Sequence, residues 1–191
     1  MIDAPLPTRC DVDARAEVIA RARQLGVPTD HARRHKLRLV REPNQLASIG
    51  FDIHGREQWL MPRAALAFAR MRAAAHEKAI ELQVVSAFRS AHYQLGIIER
   101  KLARGQPIED ILRVSAAPGY SEHHSGRALD LTTPGFSALE EEFAQSLAFK
   151  WLHRHAACFG FVMSYPRGNH HGIAYEPWHW CWHARAPSAR R

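Results

Sequence analysis

The sequence predicts an α+β fold: a small antiparallel sheet flanked by helices. Two observations point there. Helical and strand-type patterns are intermixed without the regular βαβ alternation of a parallel sheet. The composition, 46% hydrophobic and 24% charged over 191 residues, is that of a globular chain long enough to bury one core without covalent staples.

Residues 12–25 have helical spacing and stop at Gly26, where a C-terminal cap belongs. Residues 37–61 carry short β-type runs instead. These are Leu37-Arg-Leu-Val-Arg41, Ile49 to Ile53 and Gln58 to Met61, divided by the turn formers Pro43-Asn44 and His54-Gly55. Pro62 opens an alanine-rich amphipathic helix reaching about Ile80. Leu82 to Ser86 reads as a buried strand, Ser90 to Ala103 as a helix ended by Gly105, and Ile108 to Val114 as a short helix. A loop over residues 116–120 leads to a strand at Arg127 to Leu131, then to an interrupted helical stretch from Leu139 to Ala157. Residues 159–163 and 177–182 are the last two strands. No internal repeat or low-complexity linker divides the chain, so a single domain is expected.

Composition excludes several classes. No run of 18 apolar residues exists, so no transmembrane helix is expected. The N-terminus lacks the basic-then-apolar pattern of a secretory signal, which by itself reads as cytoplasmic. Cys10, Cys158 and Cys181 form no C-x-x-C pair, and an odd count argues against a disulfide scaffold. Cys158 and Cys181 are expected to be packing residues. The +7 charge, from 26 basic and 19 acidic residues, suits an anionic partner such as a wall polymer or a carboxylate-rich substrate. The arginines, among them Arg33-Arg34 and Arg190-Arg191, lack interleaved aromatics, and no nucleic acid is expected.

Three clusters carry chemistry: Ser121 to Asp130, Glu176 to His179, and Ser86 to Gln94. A catalytic zinc takes three protein ligands, typically imidazoles and a carboxylate, and keeps a fourth position open. His123, Asp130 and His179 supply such a set. Asp130 lies on a strand between Leu129 and Leu131, which point to the other face. A carboxylate so close to the interior needs a cationic partner or a metal. Glu176, three residues before His179 across a stiff proline, is placed to serve as general base. Each of these residues also has an ordinary reading, as a hydrogen-bonded histidine, a turn-capping aspartate or a surface acid.

The chain resembles the VanY-type D-alanyl-D-alanine carboxypeptidases, zinc metallopeptidases that share a core with lysostaphin-like enzymes and the hedgehog signalling domain. The resemblance runs from about Ser86 to Trp182. The pattern S-x-H-x-x-G-x-A-x-D is intact as Ser121, His123, Gly126, Ala128 and Asp130. E-P-W-H is intact as Glu176 to His179, and S-x-x-R-S-x-x-x-Q as Ser86, Arg89, Ser90 and Gln94. Phe159-Gly-Phe161 and Tyr165-Pro166 are similar to the family's Y-G-F and R-Y-P stretches. The resemblance implies zinc held by His123, Asp130 and His179, with Glu176 as catalytic base. It implies Arg89 as the oxyanion or substrate contact, and Ser121 and Gln94 as substrate-binding residues. The implied substrate is a D-alanine-terminated peptidoglycan peptide, on a core over 81–183 with residues 1–80 as an N-terminal elaboration. Tyr120, Ser164 and His170-His171 depart from the family pattern where they would border the cleft. An endopeptidase of the endolysin kind and a non-catalytic zinc-stabilised binding module share the same ligand set and stand as alternatives.

Overall fold

A computed structural model describes residues 12–184. Its elements run α1 (Val12–Gln24), α2 (His31–Arg34), β1 (Ala47–Phe51), β2 (Glu57–Leu60), α3 (Pro62–His76), β3 (Gln83–Ser86), α4 (Ala91–Ala103) and α5 (Ile108–Arg113). They continue through β4 (Ala128–Thr132), α6 (Leu147–His155), β5 (Phe161–Met163) and β6 (His179–Trp182). The main sheet has the order β3-β4-β6-β5, antiparallel throughout, and β1 and β2 form a separate hairpin. The class is α+β, as the sequence predicts. Among the described residues no helix is long and apolar enough to cross a membrane.

The sheet divides its residues by strand alternation. Leu129, Leu131, Trp180 and Trp182 join the main core with Ala64, Phe68, Met71 and Ala75, which recur along one face of α3. Leu152 of α6 and Phe161 of β5 complete this layer, with the Phe68 and Phe161 rings edge-on at 6.4 Å. The alternate residues of β4 and β6, Asp130 and His179, therefore fall on the opposite face. A second apolar cluster joins Val18 and Ala22 of α1 to Ala91, Leu95 and Ile98 of α4 and to Ile111 and Leu112 of α5.

The β1–β2 hairpin braces the segment that leaves β3. Asp52 ties its own turn by accepting from the His54 and Arg56 amides, and its second oxygen holds Gln58 at 2.9 Å. Gln58 in turn accepts from the Ala87 amide, and Trp59 carbonyl from the Phe88 amide. The backbone just before Arg89 is thereby fixed by a hairpin thirty residues upstream.

Three expectations differ from the structure. Residues 37–41 form no strand: their Leu/Arg alternation finds no ladder partner, and only Val40 bonds across, its amide donating to Gly119 carbonyl. The helix from Pro62 ends at His76 rather than near Ile80. Cys158 is exposed rather than packed. It sits on a single 3-10 turn, Ala156–Phe159, whose inward position is taken by Ala156. Cys181 is fully buried, as expected, whereas Cys10 and Arg190-Arg191 lie outside the described residues. The stretch from Leu139 breaks into a 3-10 turn, α6 and a second 3-10 turn, in line with an interrupted helix.

Candidate metal centre

Backbone pairing brings the central residues together. In the antiparallel register Asp130 stands opposite His179 on β6 and opposite Ser86 on β3. His123 arrives from a 3-10 turn, Glu122–Ser125, capped by the Ser121 hydroxyl and closed by Gly126 at φ 64°. A Cβ at Gly126 would stand 3.0 Å from the Met61 amide nitrogen, so both the left-handed φ and the close approach require glycine.

The donor atoms of His123, Asp130 and His179 lie within 4.8 Å of one another, and all three residues are buried. His123 Nδ1 donates to Ala87 carbonyl at 2.5 Å. In a neutral ring that leaves a lone pair on Nε2, which is buried without a hydrogen-bond partner. This lone pair faces Asp130 Oδ2 at 3.1 Å. Two acceptors at that separation need a cation between them. Burial and the Arg89 charge hold the His123 pKa down to about 4, so at neutral pH a proton is not that cation. The residues present therefore fit a metal ion.

His179 is held on both sides. Nδ1 is 3.0 Å from Asp130 Oδ1, and Nε2 is 2.9 Å from Glu122 Oε2. Glu122 also accepts from the Ser164 hydroxyl at 2.6 Å. The Tyr165 ring lies against His179, with centroids 4.9 Å apart. Burial opposes a charge on His179, but the hydrogen bonds to Asp130 and Glu122 outweigh it and raise its pKa to about 10.

Glu176 sits on the turn entering β6, where its carbonyl accepts from the His179 amide and its own amide donates to Tyr165 carbonyl. Its Oε2 is 3.9 Å from His179 Nδ1. Burial, then the nearby Asp130 and Glu122 charges, raise its carboxyl to about 7 against the pull of His179 and Arg89. A carboxyl so poised can take and return a proton near neutral pH.

The three remaining predicted residues lie on the segment before α4 (Arg89), in α4 (Gln94) and on the loop before the 3-10 turn (Ser121), and among the described residues Gln94 has no hydrogen bond to the centre. Arg89 Nη2 is 3.9 Å from Asp130 Oδ2, and its Nε is buried without a partner. Gln94 is buried, donates to Ala116 carbonyl at 3.0 Å, and keeps its own carbonyl oxygen unpaired. Ser121 is buried and accepts from the His123 amide, which leaves its hydroxyl proton free to donate.

Glu122 and His124 escape a reading of the sequence, and Ser164, marked there only as a departure from the family pattern, meets Glu122. Glu122 is the variable position inside S-x-H, and only the convergence of its turn with β6 shows that it meets His179. His124 uses both nitrogens structurally: Nδ1 donates to Arg89 carbonyl at 2.6 Å, and Nε2 accepts from the Gly119 amide at 3.1 Å. It has no lone pair left for a metal. His124→Leu is expected to leave both backbone groups buried and unpaired, at about 1–3 kcal/mol each. Thermal melting should show a drop of several degrees; an unchanged midpoint would count against the bridge.

Residues 57–185 match the profile of the VanY family, described as D-alanyl-D-alanine carboxypeptidase. YodJ of Bacillus subtilis (strain 168) is 32% identical over 148 residues, covering 72% of this chain and 53% of that protein. The chain thus spans about half the length of that relative. The LdcB LD-carboxypeptidase structure superposes with a TM-score of 0.65 at 30% identity, over 74% of this chain and 69% of that one. A vancomycin-resistance D,D-pentapeptidase VanY, solved with Zn(II), has the same fold with a TM-score of 0.56 at 24% identity, over 72% of this chain and 78% of that one. With more than half of its residues matched to one profile, the chain belongs to the VanY D-alanyl-D-alanine carboxypeptidase family.

Proposed function

We propose that this protein is a zinc-dependent carboxypeptidase that removes a terminal D-alanine from peptidoglycan stem peptides, with His123, Asp130 and His179 as the metal ligands. One observation carries the reading: a buried His-Asp-His donor set with an unpartnered imidazole nitrogen lies beside a glutamate whose carboxyl is raised toward neutrality. Family membership and the Zn(II) complex of the similar VanY structure support it.

Zinc, when bound, polarises the scissile carbonyl and acidifies the attacking water. Glu176 accepts the proton of that water and delivers it to the departing amine of D-alanine. Arg89, with an unpaired Nε–H, offers a fixed guanidinium to the negative charge that develops on the carbonyl oxygen. Gln94, through its unpaired carbonyl, and Ser121, through its free hydroxyl proton, bind the peptide backbone. Glu122 holds Nε2–H of His179 and so keeps Nδ1 turned toward Asp130.

Zinc-loaded protein incubated with defined tripeptide, tetrapeptide and pentapeptide stems should release single alanines, read by mass. Two larger fragments would instead indicate an endopeptidase, and zinc-loaded protein inert on every stem would indicate a binding module. Glu122→Gln is expected to weaken zinc by about 10–100-fold, since outer partners of a ligating histidine typically carry that much affinity. Competition with a chromogenic chelator measures it, and unchanged affinity would remove Glu122 from the centre.

A further inference from the structure

The segment between α2 and β1 is tied in succession to the loop before Glu176, the loop before Ser121 and the first residue of α4. His35 and His171 clasp each other reciprocally: His35 Nδ1 donates to His171 carbonyl at 2.7 Å, and His171 Nδ1 to His35 carbonyl at 2.8 Å. Five residues later the Val40 amide donates to Gly119 carbonyl, two positions before Ser121. Glu42, buried, then accepts from the Ala91 amide at 2.7 Å, two positions after Arg89.

The start of this span and its partner loop are each closed by hydrogen bonds of their own. At the start, Lys36 N–H bonds Arg33 carbonyl and Leu37 N–H bonds Ala32 carbonyl, the paired closure of a Schellman turn. Lys36 holds the left-handed conformation, φ 51°, where glycine is usual. The partner loop, residues 165–176, begins at Tyr165 on the His179 ring and ends at Glu176, whose amide closes it onto Tyr165 carbonyl. Inside it Asn169 bonds the amides of His171 and Ile173 and the carbonyls of Pro166 and Ile173. Five residues reach at most about 18 Å, so the anchor at His35 on the loop before Glu176 and the anchor at Val40 on the loop before Ser121 lie within that distance of each other.

We propose that residues 35–42, clasped by His35 and His171, form a fixed wall across the leaving-group end of the cleft and confine cleavage to free chain ends. This rests on the carboxypeptidase reading above. A wall braced on the loop before Glu176 and on the loop before Ser121 would exclude a chain that continues past it, which is discrimination by exclusion. It also gives a role to residues 35–42, which precede the part of the chain matched to the family, and to His171, where the family pattern differs.

The test compares full-length, zinc-loaded wild type with His35→Leu and with the double variant His35→Asn/His171→Asn, whose amides can still donate where Nδ1–H did. Substrates are a free-ended pentapeptide stem and the same stem extended by one residue beyond its terminal D-alanine. Wild type and the Asn variant should favour the free end, whereas His35→Leu should narrow that preference by about tenfold or more through gain on the extended peptide. Amide hydrogen exchange over residues 169–176 should quicken in His35→Leu and not in the Asn variant. An unchanged preference in a folded, zinc-loaded His35→Leu overturns the wall, as does wild type that cuts both substrates equally. Unchanged exchange in His35→Leu overturns the clasp whatever the activity. Wild type that releases no alanine from any stem overturns the carboxypeptidase reading itself, and with it the wall's role.

Discussion

Glu176→Gln should lower turnover of a D-alanine-terminated stem peptide by about two to four orders of magnitude while zinc content stays unchanged, the usual weight of a positioned general base. The substitution keeps volume and removes only the titrating oxygen, which lies 3.9 Å from His179 Nδ1. The wild-type rate should fall as pH drops through the Glu176 pKa, because the protonated form cannot accept a proton. Its carboxyl stands at about 7 in the metal-free protein, and a nearby cation lowers it, so the acidic limb belongs at or below pH 7. Stability should move the other way. The folded-state value is raised above the ordinary 4.5, so the contribution of Glu176 to stability is full below that pH and is lost as pH rises through 7. Metal-free Glu176→Gln should therefore melt above wild type at pH 8 and level with it at pH 4. A Gln variant with wild-type turnover would remove Glu176 from the chemistry.

Asp130→Asn should cost more than about 100-fold in zinc affinity, since a directly coordinating carboxylate outweighs the outer partners whose loss costs 10–100-fold. Each carboxylate oxygen faces one imidazole, Oδ2 to His123 at 3.1 Å and Oδ1 to His179 at 3.0 Å. An amide of the same shape carries no charge and turns N–H groups toward one of those nitrogens. Zinc at 100 times its dissociation constant should stabilise wild type by about 2.7 kcal/mol, and the Asn variant by far less at the same concentration. Elemental analysis after gel filtration and paired melting curves read both quantities. Wild-type zinc content in Asp130→Asn would displace Asp130 from the ligand set.

Much of the fold is legible in the chain because local rules govern it. Pro62 at the start of α3, Ser90 as the α4 cap and the strand patterns at β3, β4 and β6 are all encoded within a few residues of where they act. The reading fails where only distant partners decide. Residues 37–41 have strand alternation but no neighbouring strand, and a ladder cannot form on one side only. Cys158 looks like a core residue, yet a 3-10 turn has a single inward position and Ala156 fills it.

By itself the sequence determined the α+β class, the family, and which residue types would have to meet if a metal centre exists. Tertiary structure alone decided that they meet, and on what terms. The β4–β6 register sets Asp130 against His179, and the β1–β2 hairpin fixes the carbonyl that orients His123. The turn after Ser121 brings Glu122 onto an imidazole fifty-seven positions away. The physical reason is range: helix spacing, caps and strand alternation act over a few residues, whereas a buried centre depends on which side chains several such elements turn toward one another.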